Sequence, residues 1–238
     1  MFRRVVSARR ARGLSTVAMT WLNRIHEDIA TAMRRDPAAR SSVEVLLTYP
    51  GVHALILHRL AHRIDANGWA LAARVLSHIA RMLTGIEIHP RAQIGHDFFI
   101  DHGMGVVIGE TTIIGDRVHL LQGVTLGGTS TRREKRHPTL EDDVTVGAGA
   151  QIIGAVTIGA GAKIGAGSVV VSSVPPGATV VGVPGHVIAY TNRSNDTVER
   201  LPDPEWDRID ALERRIAELE RDVAEAPAER EVPEGSAR

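Results

Sequence analysis

The 238-residue chain balances 28 Lys and Arg against 28 Asp and Glu, so no global field draws it onto nucleic acid or a membrane, and its expected partners are small molecules and protein. It has no cysteine, which excludes disulfides, thiolate metal sites and a cysteine nucleophile together and fits a reducing compartment. No apolar run approaches the roughly 18 to 20 residues needed to cross a bilayer, and a soluble, cytoplasmic protein is expected.

Residues 1–18 carry Arg3, Arg4, Arg9, Arg10 and Arg12 and no acid. That composition has a superficial likeness to an organelle transit peptide, but Met19 opens a helical pattern, and a disordered basic extension or a start placed too early is the expectation. A secretory signal would need a continuous apolar core after the basic stretch, and none follows.

From 21 to 83 the pattern is helical. Leu22, Ile25, Ile29 and Met33 recur three and four apart and make one amphipathic stripe. Asp36-Pro37 stops that helix, because the residue before proline is pushed out of the α region. Tyr49-Pro50-Gly51 marks a second break, and Asn67-Gly68 divides two further helical stretches, 52–64 and 69–83.

At Ile86 the period changes. Every sixth position is aliphatic: Ile88, Ile94 and Ile100; then Ile108, Ile114, Leu120 and Leu126; then Leu140, Val146, Ile152, Ile158, Ile164 and Val170. Such a repeat predicts a parallel β-helix, in which one aliphatic side chain per short strand points inward and stacks on its equivalents above and below. Three hexapeptides per coil make a triangular prism. Four to five coils, rising about 4.8 Å each, give a rod about 20 Å tall.

The register slips twice. Two extra residues separate Ile100 from Ile108, beside Asp101-His102-Gly103, and eight separate Leu126 from Leu140, where 128–139 holds Arg132, Arg133, Lys135, Arg136 and His137. A regular prism expels insertions as loops, and loops on a rigid scaffold are where sites are built. Both slips carry a histidine. Beyond Pro184 the repeat ends, and in a Glu- and Arg-rich tail Ile209, Leu212, Ile216, Leu219 and Val223 show the three-and-four spacing of a coiled coil. The tail is expected either to pair three-fold on the axis of a trimer or to lie as a single solvated helix.

The segments Asp101-His102-Gly103-Met104-Gly105 with Val107-Ile108-Gly109-Glu110-Thr111, and Gln122-Gly123-Val124-Thr125-Leu126-Gly127-Gly128-Thr129 with Arg136-His137-Pro138, resemble the active-site motifs of serine O-acetyltransferases. Ile164-Gly165-Ala166-Gly167-Ser168-Val169-Val170 is similar to a segment shared more widely among hexapeptide acyltransferases. The resemblance implies an α+β chain: an N-terminal α-helical domain (19–85), a left-handed parallel β-helix (86–188) and a C-terminal helical tail (189–238).

It also implies a reaction, attack of the serine hydroxyl on the thioester of acetyl-CoA to give O-acetylserine and CoA, with no metal. By resemblance, His102 is the general base and Glu87, where the family more often shows aspartate, orients its imidazole; imidazole suits proton removal near pH 7. Asp101 and Asp36 would hold the substrate ammonium, with Arg136 and His137 near the carboxylate and hydroxyl. Gly128, Ala148 and Lys163 match positions along the CoA arm. A site between subunits implies a homotrimer, possibly a hexamer, and L-cysteine, shaped like serine, is an expected feedback inhibitor. Relatives often bind O-acetylserine sulfhydrylase through a C-terminal isoleucine, whereas this chain ends Gly235-Ser236-Ala237-Arg238. The alternatives are a hexapeptide acetyltransferase for a sugar or antibiotic hydroxyl, a zinc enzyme of the carbonic anhydrase type, and a non-catalytic scaffold.

Overall fold

The computed structural model describes residues 21–192, 197–200 and 204–225, so the basic extension at 1–18 and the chain end lie outside the described residues. Four helices come first: α1 (Trp21–Arg35), α2 (Ser42–Thr48), α3 (Pro50–Ala66) and α4 (Ala70–Thr84). Helix α2 fills a stretch that the apolar spacing leaves unassigned; Ser41 caps it, its hydroxyl accepting from the Glu44 N–H at 3.2 Å. Pro50 opens α3 rather than merely breaking the chain, since a first helical residue needs no N–H. Gly85 ends α4 in the left-handed region at φ 71, as a C-terminal glycine should.

Strands then wind around three faces. Face A stacks β1 (Glu87–Ile88), β4 (Val107–Ile108), β7 (Thr125–Gly127), β10 (Gln151–Ile153) and β13 (Val169–Val170). Face B stacks β2 (Gln93–Ile94), β5 (Ile113–Ile114), β8 (Thr139–Leu140) and β11 (Thr157–Ile158). Face C stacks β3 (Phe99–Ile100), β6 (His119–Leu120), β9 (Thr145–Val146), β12 (Lys163–Ile164) and β14 (Ala178–Val181). All these pairings are parallel and in register: Ile88, Ile108, Leu126, Ile152 and Val170 form one column, and Ile100, Leu120, Val146, Ile164 and Val180 another.

Each predicted inward residue is the second residue of its strand, and all but the partly exposed Ile94 are buried. The residue two positions earlier also points in. Ile86, Val106, Val118, Val124, Val144 and Ala150 are buried beside it, the period-2 alternation of any strand, so each hexapeptide supplies two inward side chains rather than one. After β14 the chain turns back: β15 (His186–Asn192) pairs with it antiparallel, and β16 (Thr197–Arg200) lies beyond, a return that the six-residue pattern does not announce.

The helices dock on the first coil. Ala54 and Leu55 of α3 join the prism core, and Ala32, Val45 and Val52 pack on Phe99 with Ile29 and Met33 beside them. Leu22, the first residue of the expected α1 stripe, stays 71% exposed. Polar contacts fix the angle of α1: Thr31 and Arg34 donate to Asp97 at 2.8 and 2.6 Å, and Arg35 donates to the Arg117 carbonyl at 2.9 Å. Helix α5 (Pro204–Glu225) is a separate unit.

Candidate active site

The first register slip lies at the edge where face C turns into face A. The two added residues let the chain pass through left-handed conformations at His102, Gly103 and Gly105, with φ of 57, 81 and 78. A side chain at Gly103 would be strained by its φ of 81, and its Cβ would stand 2.4 Å from the end of the Ile86 side chain, which would have to move. The turn throws His102 outward, 73% exposed, with Nε2 3.9 Å from a carboxylate oxygen of Asp101. The other Asp101 oxygen is 4.0 Å from Nε2 of His119, which lies against the Phe99 ring at 5.0 Å and whose Nε2 is buried without a hydrogen-bond partner. Burial keeps His119 below its ordinary pKa, against the pull of Asp101.

The helices bring two more groups to this edge. Asp36, just past α1, accepts from the Tyr49 hydroxyl at 2.5 Å and from the Ala38 N–H at 2.8 Å. Those bonds, led by the tyrosine's, hold its carboxyl below the ordinary value, and the nearness of His102 adds a little to the effect. Tyr49 in turn is pushed up to about 12, chiefly by the same bond and in smaller part by Asp101. Asp36, Tyr49, Asp101 and His102 thus share one electrostatic neighbourhood. Glu87, on β1, pairs with Arg81 of α4 at 2.9 Å, and among the described residues no hydrogen bond joins it to His102.

The second slip lies at the other edge of face A, where it turns into face B. Thr111 organises it. Its hydroxyl oxygen accepts from the backbone N–H groups of Arg136 and His137, both at 3.0 Å, which leaves its own proton for His137 Nδ1 at 2.9 Å. The Thr111 N–H also points at that nitrogen, at 3.3 Å. With Nδ1 accepting, the neutral ring carries its proton on Nε2. Burial and then the charges of Arg136 and Lys135 hold His137 below its ordinary pKa, so the neutral form prevails near pH 7.

Glycine makes room for that ring: a Cβ on Gly109 would lie 1.9 Å from His137 Cδ2, and one on Gly128 3.1 Å from its Nε2. Arg136 reaches Glu110 at 2.6 Å, which lowers the glutamate's pKa, and Lys135 spans the loop to the carbonyls of Thr111 and Pro138 at 2.6 and 3.0 Å. Burial brings Lys135 down to about 8.

The two edges do not meet within one chain. A side of the prism holds about six residues of near-extended chain, on the order of 15–20 Å, and His102 and His137 stand at opposite ends of face A. A cleft of about 280 Å³ beside Lys135 and one of about 400 Å³ between α1 and α3 take in neither histidine.

The corner glycines separate the edges further. At the face B to face C edge, three of the four left-handed turns are filled by Asp97, Arg117 and Asp143, with φ of 51, 59 and 63, and the fourth by Gly161 at φ 70. The equivalent turns at the face C to face A edge carry only Gly105, Gly123, Gly149 and Gly167, with φ of 78, 72, 70 and 68. The backbone tolerates side chains in such turns, so the four glycine corners leave a bare ridge beside His102, and a ligand can approach its main chain. Ala148 belongs to that ridge, its carbonyl accepting from the Gly167 N–H at 2.8 Å. Gly128 stands exposed on the opposite edge, and Lys163 is exposed on face C between Thr145 and Thr179.

Of the residues the sequence singles out, Asp36, Asp101 and His102 come together, and so do Arg136, His137 and Gly128. Tyr49, Glu110, Thr111 and His119 were not assigned roles. Glu110 and Thr111 sit inside a quoted motif, which is a usable signal; Tyr49 acts across thirteen residues through α2, and nothing local announces it.

Residues 137–172 match the family described as bacterial transferase hexapeptide (six repeats). A serine acetyltransferase of Bacillus licheniformis is 50% identical over 211 residues, covering 87% of this chain and 98% of that protein. The crystal structure of Neisseria gonorrhoeae serine acetyltransferase in complex with serine matches with a TM-score of 0.67 at 42% identity, over 70% of this chain and 68% of that one. A serine acetyltransferase in complex with cysteine matches with a TM-score of 0.69 at 36% identity, over 77% and 74% of the two chains. The prism of aliphatic rungs, its two histidine-bearing edges and these likenesses agree: the chain belongs to the serine acetyltransferase family and is built on its left-handed β-helix.

Proposed function

We propose that this protein transfers the acetyl group of acetyl-CoA to the hydroxyl of L-serine, giving O-acetyl-L-serine and CoA, the first step from serine to cysteine, in a site completed by a second copy of the chain. The observation that carries the proposal is the placement of His102 and His137 at opposite edges of face A. Side-by-side packing of prisms around a closed axis sets the His102 edge of one copy against the His137 edge of the next. A homotrimer is the simplest such ring, and pairing of two trimers would make a hexamer.

In that cleft the residues divide the work. His102, exposed to a substrate, takes the proton from the serine hydroxyl as the oxygen attacks the thioester carbon. The tetrahedral intermediate then expels the CoA thiolate, which recovers the proton from the imidazolium. Asp101 and Asp36 face the ammonium, and Glu87 orients the base once Arg81 yields it. His137, with Nδ1 already engaged by Thr111, offers Nε2–H as a donor and not a free lone pair as a base; with Arg136 it faces the carboxylate and hydroxyl. The bare ridge with Ala148, together with Gly128 and Lys163, receives the pantetheine arm of acetyl-CoA.

A relative solved in complex with cysteine supports L-cysteine as an inhibitor competing for the serine pocket. A cytoplasmic location is in keeping with the use of acetyl-CoA, and no described helix is long and apolar enough to cross a membrane. The test is thiol release from acetyl-CoA with L-serine against a panel of amino acids and sugars. Release with serine is expected; strong release with a sugar hydroxyl and none with serine refutes the assignment.

A further inference from the structure

Helix α5 runs for 22 residues, about 33 Å at 1.5 Å per residue. Its apolar side chains form one stripe: Ile209, Leu212, Ile216 and Leu219 are each 43 to 56% exposed, far more than a packed core residue. Their spacing assigns Ile209 and Ile216 to heptad position a and Leu212 and Leu219 to position d.

The flanking charges are ordered too. Arg208 and Arg215 fall at position g, and Glu213 and Glu220 at position e. In a parallel, in-register pairing each g residue faces the e residue five further along its neighbour. Arg208 then meets Glu213 of the partner subunit, and Arg215 meets Glu220 of the partner subunit. An antiparallel pairing sets g against g and e against e, arginine on arginine and glutamate on glutamate, which repels. The third g position, Asp222, has no e counterpart, because the helix ends at Glu225.

We propose that α5 forms a parallel, in-register coiled coil with α5 of a second copy of this chain. Isoleucine at a with leucine at d favours two parallel strands, so within a trimeric ring two of the three α5 helices would pair. In the single helix Arg215 pairs with Glu218 at 2.9 Å, but both are more than half exposed, and such a pair exchanges at little cost. Fewer than three heptads are marginal alone. The oligomer proposed above raises the local concentration of the helices, and to that extent the inference rests on that reading.

The absence of cysteine makes the test clean, since one introduced thiol reports one contact. Leu219→Cys in the full chain, mildly oxidised, is expected to run mostly as a covalent dimer, whereas Arg221→Cys, at the outward f position, stays monomeric on the same gel. Adding Arg208→Glu and Arg215→Glu to Leu219→Cys places acids at both g and e and should cut the dimer yield about tenfold. Equal crosslinking at 219 and 221 overturns the coil. So does no crosslinking at 219 while light scattering of the reduced protein still shows an oligomer. A monomer by light scattering overturns the shared active site and the coil together, whereas crosslinking at 219 but not 221 in an oligomer whose mixed histidine variants stay inactive would leave the coil standing without the shared site.

Discussion

A site shared between subunits makes an unusual demand on inactive variants. His102→Ala removes the base, and His137→Ala removes the donor of the opposite edge; each is expected to lower turnover by about 10² to 10⁴. The fold should survive both, since His102 is exposed and His137 occupies a loop outside the aliphatic columns. When the two variants are mixed, unfolded and refolded together, hybrid rings form. A site is intact only where a copy with native His102 stands beside a copy with native His137 in the correct order. With random assembly at equal amounts, that holds for about a quarter of the sites in any closed ring. Thiol release should therefore climb from the background of either variant to roughly a quarter of the native rate per site, tens to thousands of times above the unmixed proteins. Activity that stays at background after mixing, while light scattering shows that mixed oligomers have formed, would mean that both histidines serve within one chain and would refute the reasoning from their separation on face A.

Other outcomes follow from single contacts. Gly109→Ala drives a methyl carbon to 1.9 Å from the His137 ring, so the loop must shift; a destabilisation of about 1–3 kcal/mol by thermal melting and a raised KM for serine are expected. Thr111→Val removes the acceptor of two backbone N–H groups and the donor to His137 Nδ1, which should cost about 1–3 kcal/mol and disturb serine binding more than acetyl-CoA binding, as separate KM measurements would show. Tyr49→Phe deletes the leading cause of the lowered Asp36 pKa. Because Asp36 in the native protein stays ionised below the ordinary carboxylate range, its share of ammonium binding is lost only as pH falls through that depressed value; in the variant, the acid limb of a kcat/KM profile should move to higher pH.

The prism is the part of this molecule that a linear reading reaches. A coil of a β-helix contacts only the coils above and below it, so one inward rung every six residues specifies local turn, stacking and register together, and residues from Ile88 to Val170 land where the period puts them. The loops at Asp101–His102 and Arg136–His137 are visible for the same reason, as places where the period fails.

What the period does not carry is anything that crosses from one column or element to another. The edge on which each loop lies depends on counting faces around the coil, and only then do His102 and His137 prove too far apart to serve one chain. Asp36 comes beside His102 because Phe99 and the α1 contacts to Asp97 and Arg117 orient the helices, and Tyr49 reaches Asp36 because α2 folds the chain back. Glu87, alike in sequence to a residue that orients the base, also pairs with Arg81 of α4, a charge brought in by helix packing. Sequence alone determined the scaffold, because its contacts repeat along the chain; the tertiary structure decided which side chains share a surface, because those meetings depend on docking between elements that have no common period.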